Sequence, residues 1–390
     1  MQPPSNAFLI SMAEVRHEKR YPLRAKVCGA CKLVQVDYDV APEELFGNYV
    51  YFSSYSDDWL AHAKRYAGMA RDRFGLGADS LVVELASNDG YLLKNFVDMG
   101  IPVLGIDPSD TVARAAEKIG VPTLVEFFGE SLGRRLAAEG RSADLIIGNN
   151  VLAHVPNLND FVAGISALLK PTGTVTIEFP HLLKLIEHVE FDTIYHEHYS
   201  YISLYAIERV FARHGLRIYE AEELPTHGGS LRIFAALASR DGLADGARLS
   251  ELRALEAAAG LADLATYERF AGRVELCRKS VLEFLARVRG EGKTVAAYGA
   301  AAKGNTLLNY CNVSVGDIPM VADRNPHKQT KILPGTHIPV VAPEELMRAQ
   351  PDYVLILPWN LQGEIRRQLK GIAEWGGRFV IPVPVATVDP

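Results

Sequence analysis

Cysteine is scarce in this chain: four residues in 390, at positions 28, 31, 277 and 311. That excludes a small fold stapled by disulfides. A basic excess is missing as well, since 41 Lys and Arg face 47 Asp and Glu for a formal net charge of −6. No positive field of the whole chain attracts nucleic acid. No apolar run reaches membrane-spanning length and the start carries no signal-peptide pattern, so the expectation is a cytoplasmic protein with no membrane partner. What is present is 48% hydrophobic residues over 390 positions, enough for two or three globular cores.

The pattern divides the chain into a small N-terminal module (1–68), an α/β domain (69–240), a helical connector (241–292) rich in Ala, Leu, Glu and Arg, and a second α/β domain (293–390). In the first module, Cys28-Gly29-Ala30-Cys31 sits at the turn of an expected hairpin. One Cys-x-x-Cys is half of a tetrahedral zinc site; a reduced knuckle without metal is the alternative. Leu45 to Ser56 is rich in aromatics and hydroxyls, which suits either a flap over a site or a packed surface loop.

From about 76 the chain alternates strands with helices. Strands are expected at 81–85, 103–108, 123–127, 143–150 and 173–179, giving a doubly wound, mostly parallel sheet with ligands beyond its carboxyl edge. The first turn, Glu84-Leu85-Ala86-Ser87-Asn88-Asp89-Gly90, lacks the Gly-x-Gly-x-x-Gly that close pyrophosphate approach needs, so NAD is disfavoured. Asp107-Pro108 after the second strand is placed to accept from ribose hydroxyls. Asn149-Asn150, and His154 beyond them, face the same crevice after the fourth.

The most informative run is Phe191 to Tyr201, which holds Tyr195-His196-Glu197-His198-Tyr199. Two imidazoles, two carboxylates and three phenols without an apolar period suit proton chemistry. A structural loop, or a metal site formed by His-x-His on an extended segment with both rings on one face, are the alternatives. His227-Gly228-Gly229-Ser230-Leu231-Arg232 reads as a hairpin turn or an anion site. In the second α/β domain, Gly299-Ala300-Ala301-Ala302-Lys303-Gly304-Asn305 opens a helix and can cradle phosphate, or is a plain strand–helix turn with a solvated lysine.

Together these motifs resemble class I S-adenosylmethionine-dependent methyltransferases. More closely, they resemble the sugar C-methyltransferase family that acts on nucleotide-linked keto-deoxysugars, with a zinc-type module, a methyl-donor domain and a Rossmann-like C-terminal domain. The resemblance implies S-adenosylmethionine held by Glu84, Ala86, Asn88, Gly90, Asp107, Pro108, Asn149 and Asn150. It implies His198 as general base, with Tyr195 and Glu197 orienting it or meeting the enolate oxygen, His154 relaying the proton or steadying the sugar, and Tyr49 closing over the site. A nucleotide-diphosphate sugar would be held by His196, His227, Ser230 and Arg232, with its diphosphate near Lys303 and Asn305. Family members carry a further Cys-x-x-Cys near their start; without it Cys28 and Cys31 are a zinc half-site. Methyl transfer to oxygen or nitrogen, a non-catalytic nucleotide-sugar binder and an NAD-dependent nucleotide-sugar enzyme are the rival readings.

Overall fold

A computed structural model describes residues 1–37, 40, 41, 44, 45, 54 and 57–389. The N-terminal hairpin pairs β1 (Ala25–Val27) with β2 (Val34–Val36). Seven strands form the central sheet: β3 (Val82–Leu85), β4 (Val103–Ile106), β5 (Thr123–Leu124), β6 (Ala143–Asn149), β7 (Leu169–Pro180), β9 (Leu216–Leu224) and β10 (Ser230–Leu237). The short β8 (Ser200–Tyr201) does not join them; it pairs with β2 and so docks the hairpin onto the Tyr195–Tyr199 run.

The central order is β5-β4-β3-β6-β7-β10-β9, parallel except for β10, which pairs antiparallel with both β7 and β9. Fully buried residues such as Val83, Leu85, Ile146 and Ile177 give these strands continuous apolar runs, as a sheet covered on both faces requires. Strand order reverses between β3 and β6, which opens a crevice at their carboxyl ends.

The C-terminal sheet runs β13-β12-β11-β14-β15-β16, with β11 (Val295–Tyr298), β12 (Val321–Ala322), β13 (Val340–Val341), β14 (Tyr353–Ile356) and β15 (Arg378–Ile381) parallel and β16 (Thr387–Val388) antiparallel. The expected connector is two helices with different allegiances. Helix Ala247–Ala258 buries Leu249 and Leu252 in the core of the central sheet, and its buried Glu256 accepts from the amides of Leu204 and Tyr205. Helix Leu264–Gly290 places Val274, Cys277, Val281 and Phe284 in the core of the C-terminal sheet. The Ala/Leu stripe is thus a packing face shared between two domains rather than a spacer.

The N-terminal segment also crosses the molecule. Leu9 and Ile332 exchange backbone hydrogen bonds at 3.0 and 2.9 Å, and Gly335 N–H donates to Glu18 Oε1 at 2.6 Å. Among the described residues no helix is long and apolar enough to cross a membrane.

Candidate active site

The first turn after β3 carries an unusual load of unpaired acid. Ala86 (φ 56°), Asn88 (φ 50°) and Gly90 (φ 77°) all adopt left-handed backbone, which turns the chain sharply at the sheet edge. Glu84, Asp89 and Asp107 are all buried, yet Glu84 Oε2, Ser87 Oγ and Asp89 Oδ1 have no partner among the described residues. Burial, then the neighbouring Asp107 and Asp89, push the Glu84 carboxyl well above its usual range. Both amide atoms of Asn149 and Oδ1 of Asn150 are likewise unpaired. Buried polar groups without partners are rare in a finished interior. Their convergence at the carboxyl edge, with acid predominating, fits a ligand that brings its own ammonium, hydroxyls and positive charge.

Asp107 has a structural task besides any ligand. Its Oδ2 accepts from Asn88 N–H and its Oδ1 from Ser109 N–H, both at 2.9 Å, so it braces the first turn; Pro108 follows it, half-buried. Gly105 in β4 is an unforeseen requirement, because a Cβ there would meet Ser87 Oγ at 2.5 Å.

The Tyr195–Tyr199 run is a turn, not an extended segment, and this corrects the expectation that its two imidazoles share one face. His196 is buried with Nε2 3.1 Å from Pro22 O. His198 takes different partners: its Nδ1 donates to Thr193 O at 2.9 Å. That bond fixes the tautomer, because a carbonyl only accepts. The lone pair is therefore on Nε2, which accepts from Tyr195 O–H at 3.0 Å. His154 packs edge-on to His198 with ring centroids 4.7 Å apart and donates from Nδ1 to Glu197 O at 2.8 Å. Burial and then the His154 charge hold His198 well below the usual imidazole range; burial lowers His154 to about 4. Both rings are neutral at pH 7. Glu197 does not reach His198 through its carboxylate: both oxygens accept from Asn6 Nδ2, at 2.7 and 2.9 Å. Burial raises Glu197 to about 7 against that hydrogen bond.

The hairpin turn between β9 and β10 brings His227 to the same crevice. His227 has φ 56° and its Nε2 accepts from Asn150 Nδ2 at 3.2 Å. Four groups missed in the sequence hold that turn. Glu178, in β7, accepts from Thr226 Oγ1 at 2.9 Å, from His62 Nε2 at 2.9 Å and from Arg232 at 2.7 Å. Burial pushes the Glu178 carboxyl up, but His62 and Arg232 outweigh it and hold it at about 2. Trp59 stacks on His62 at 4.9 Å and meets the His227 ring edge-on at 5.4 Å. A carboxylate within an apolar strand, opposite Arg232 in its neighbour, was the signal available.

Four residues expected to touch substrate are internal: besides His196 on Pro22 O, these are Arg232, Ser230 and Asn305. Arg232 is buried between Glu178 and Glu222, Ser230 Oγ donates to Thr226 O, and Asn305 is spent on Ser5 O and Asn309. Their register inside strands and a helix gives them to the framework. Tyr49 lies outside the described residues. Lys303 donates to Asn360 Oδ1 at 2.9 Å, at the junction of the two sheets.

Cys28 and Cys31 do form a tight turn, with Lys32 N–H donating to Cys28 O at 3.0 Å. Backbone N–H groups of Cys31 and Ala30, followed by the Cys31 thiol, lower the Cys28 thiol. Among the described residues no group of three His, Cys, Asp or Glu could hold a metal ion. Two thiols supply half of a tetrahedral zinc site.

Comparison with known proteins adds the family. A profile described as a methyltransferase domain matches residues 59–221, one described as a C-methyltransferase C-terminal domain matches 225–384, and a domain described as zinc binding matches 1–46. C-methyltransferase NovU of Streptomyces niveus is 38% identical over 367 residues, covering 94% of this chain and 87% of that protein. The chain belongs to the C-methyltransferase family. It is an S-adenosylmethionine-dependent methyltransferase, and the acidic, unpaired edge of β3, β4 and β6 is where its own residues fit that group. A ubiquinone biosynthesis O-methyltransferase of Methylobacterium sp. (strain 4-46) is 31% identical over 122 residues, 29% of this chain and 48% of that one. Among solved structures, PH0226 protein from Pyrococcus horikoshii OT3 has TM-score 0.41 at 16% identity, covering 50% of this chain and 98% of that chain. A methyltransferase from Clostridium acetobutylicum has TM-score 0.38 at 12% identity, covering 47% and 93%.

Proposed function

We propose that this C-methyltransferase methylates a carbon next to the ketone of a nucleotide-diphosphate-linked 4-keto-deoxysugar. The observation that carries the reading is the fixed tautomer of His198. Its Nδ1–H is committed to Thr193 O, so its lone pair is on Nε2, where the Tyr195 hydroxyl donates. The Tyr195 hydroxyl now on Nε2 yields that place to the acidic C–H of the sugar and turns to the enolate oxygen. His154 packs edge-on against His198, so the ring that takes the proton is held in place. Bound S-adenosylmethionine supplies an electrophilic methyl group. Glu84, Asp89, Asn149 and Asn150 would hold its polar parts, with Asp107 keeping the first turn in shape. His227, on the turn that Glu178 and Thr226 secure, borders the sugar beside Asn150.

The nucleotide would lie along the carboxyl edge of the second sheet. Gly299 bends the chain there at φ 92° and the helix Ala302–Tyr310 begins.

The test is His198→Asn. A positioned base typically contributes ~10²–10⁴ in rate. We expect methyl transfer to fall by that order while S-adenosylmethionine affinity, measured by calorimetry, stays within about twofold. Transfer at the wild-type rate overturns the assignment of the base. Product NMR that places the new methyl on oxygen or nitrogen overturns the carbon-acid reading.

A further inference from the structure

Lys303 lies among groups that suit a ketone oxygen better than a phosphate. Its ammonium lies 4.4 Å from the centroid of the Trp359 ring and, among the described residues, gives one hydrogen bond, to Asn360 Oδ1. Trp359 Nε1 donates to Asp192 Oδ2 at 2.8 Å. Asp192 is 0% exposed and its Oδ1 has no partner among the described residues. Glu190 is buried beside it. Burial lowers the Lys303 ammonium, and Asp192 and Glu190 pull it back up. Two buried carboxyls thus face this cation, although burial raises both, Asp192 to about 7. A diphosphate brought here would sit beside both of them at low dielectric and be repelled wherever they ionise. A neutral carbonyl oxygen meets no such opposition, and gains as it becomes negative.

The position is also right for the reacting centre. Trp359 closes on Gly228, next to His227; a Cβ on Gly228 would stand 2.8 Å from the Trp359 ring. Asp192 adjoins Thr193, whose carbonyl holds His198. The Lys303 charge is felt at both His198 and His227. A base as weak as buried His198 removes a proton next to a ketone only where the enolate charge is met by a fixed donor.

We propose that the Lys303 ammonium donates a hydrogen bond to the ketone oxygen of the sugar and stabilises its enolate, held in place by Asn360 and Trp359. This rests on the keto-sugar reading above. In the step, the α C–H bond breaks and its proton goes to His198 Nε2. Its electron pair forms the C=C bond, and the carbonyl π pair moves onto the oxygen facing Lys303. No oxidant or reductant is involved.

The test separates enolisation from binding. In D₂O without methyl donor, α-hydrogen exchange of a thymidine-diphosphate-linked 4-keto-6-deoxysugar is followed by NMR, and affinity for thymidine diphosphate by calorimetry. For Lys303→Met we expect exchange to fall roughly 10²–10³-fold, as on removing one oxyanion donor. The diphosphate dissociation constant should stay within about threefold. Exchange at the wild-type rate overturns the proposal, as does a diphosphate affinity weakened by roughly tenfold or more with exchange preserved. Should Lys303→Met lose S-adenosylmethionine binding through misfolding, Lys303→Gln, which keeps a donor toward Asn360, carries the same readings. Failure of wild type to exchange would overturn the keto-sugar reading and this one with it. Full exchange in Lys303→Met, with none in His198→Asn, would sink the Lys303 role alone.

Discussion

The two sheets of this enzyme repeat one device and fill it differently. After β4, Asp107 accepts from Asn88 N–H and Ser109 N–H at 2.9 Å each. After β12, Asp323 accepts from Ala300 N–H at 2.7 Å and Asn325 N–H at 2.8 Å. In both, an aspartate at the end of the second strand ties down the first turn and the residue two places on. The contents then diverge. Around the first brace lie the carboxyls of Glu84 and Asp89, each with an unpaired oxygen among the described residues. Around the second lie two lysines, with Lys328 Nζ donating to Ala300 O and Lys303 to Asn360. The shared brace sets turn geometry; the surrounding charge selects the ligand. An acidic turn suits a cationic methyl donor, and a turn with lysines suits a substrate group that develops negative charge.

The sharpest way to break this comparison is to remove the two braces separately. Asp107→Ala should weaken S-adenosylmethionine and spare the nucleotide sugar, and Asp323→Ala should do the reverse. Each unpairs two amides held by a charged acceptor, worth about 1.5–3 kcal/mol or roughly 10–150-fold in affinity. Equal losses of both ligands in calorimetry would show that the turns are not separate sites. A smaller effect separates the turns by backbone. Gly299→Ala puts a Cβ at φ 92° against Pro358, so it should cost about 1–3 kcal/mol in chemical denaturation. It should weaken the nucleotide sugar more than the methyl donor. The smallest expected effect concerns pH. Glu84 is pushed well above the ordinary carboxylate range, so it is protonated at mildly acidic pH. An ammonium prefers the ionised form, so S-adenosylmethionine affinity should rise as pH climbs above that range, by up to roughly tenfold. Glu84→Gln should flatten the slope, and thymidine diphosphate affinity should show none of it.

Much of the fold was legible because long, buried parallel strands leave uninterrupted runs such as Leu81–Leu85 and Tyr353–Leu357. The cluster at Tyr195–Tyr199 was legible from composition. Its internal division was not: His196 and His198 are two apart in sequence, yet one serves Pro22 and the other Thr193. The same limit hid the fate of Arg232 and Asn305. A cation or amide beside a glycine-rich turn looks the same in sequence whether it meets a ligand or a buried carboxylate such as Glu178. The helical connector read as one unit because both helices share a composition, while the cores they join are defined by other segments.

The sequence by itself determined the kinds of chemistry available: an acidic, glycine-poor first turn, imidazoles and phenols in one run, a lysine in a second βα turn. Only the tertiary structure decided which of these meet. Lys303 and Asp192, 111 positions apart in the chain, meet the same Trp359 side chain, and the tautomer of His198 is set by a backbone carbonyl. Residue type fixes what a group can donate or accept. Burial, and the partners folding brings within reach, fix which proton it holds and what it is free to do.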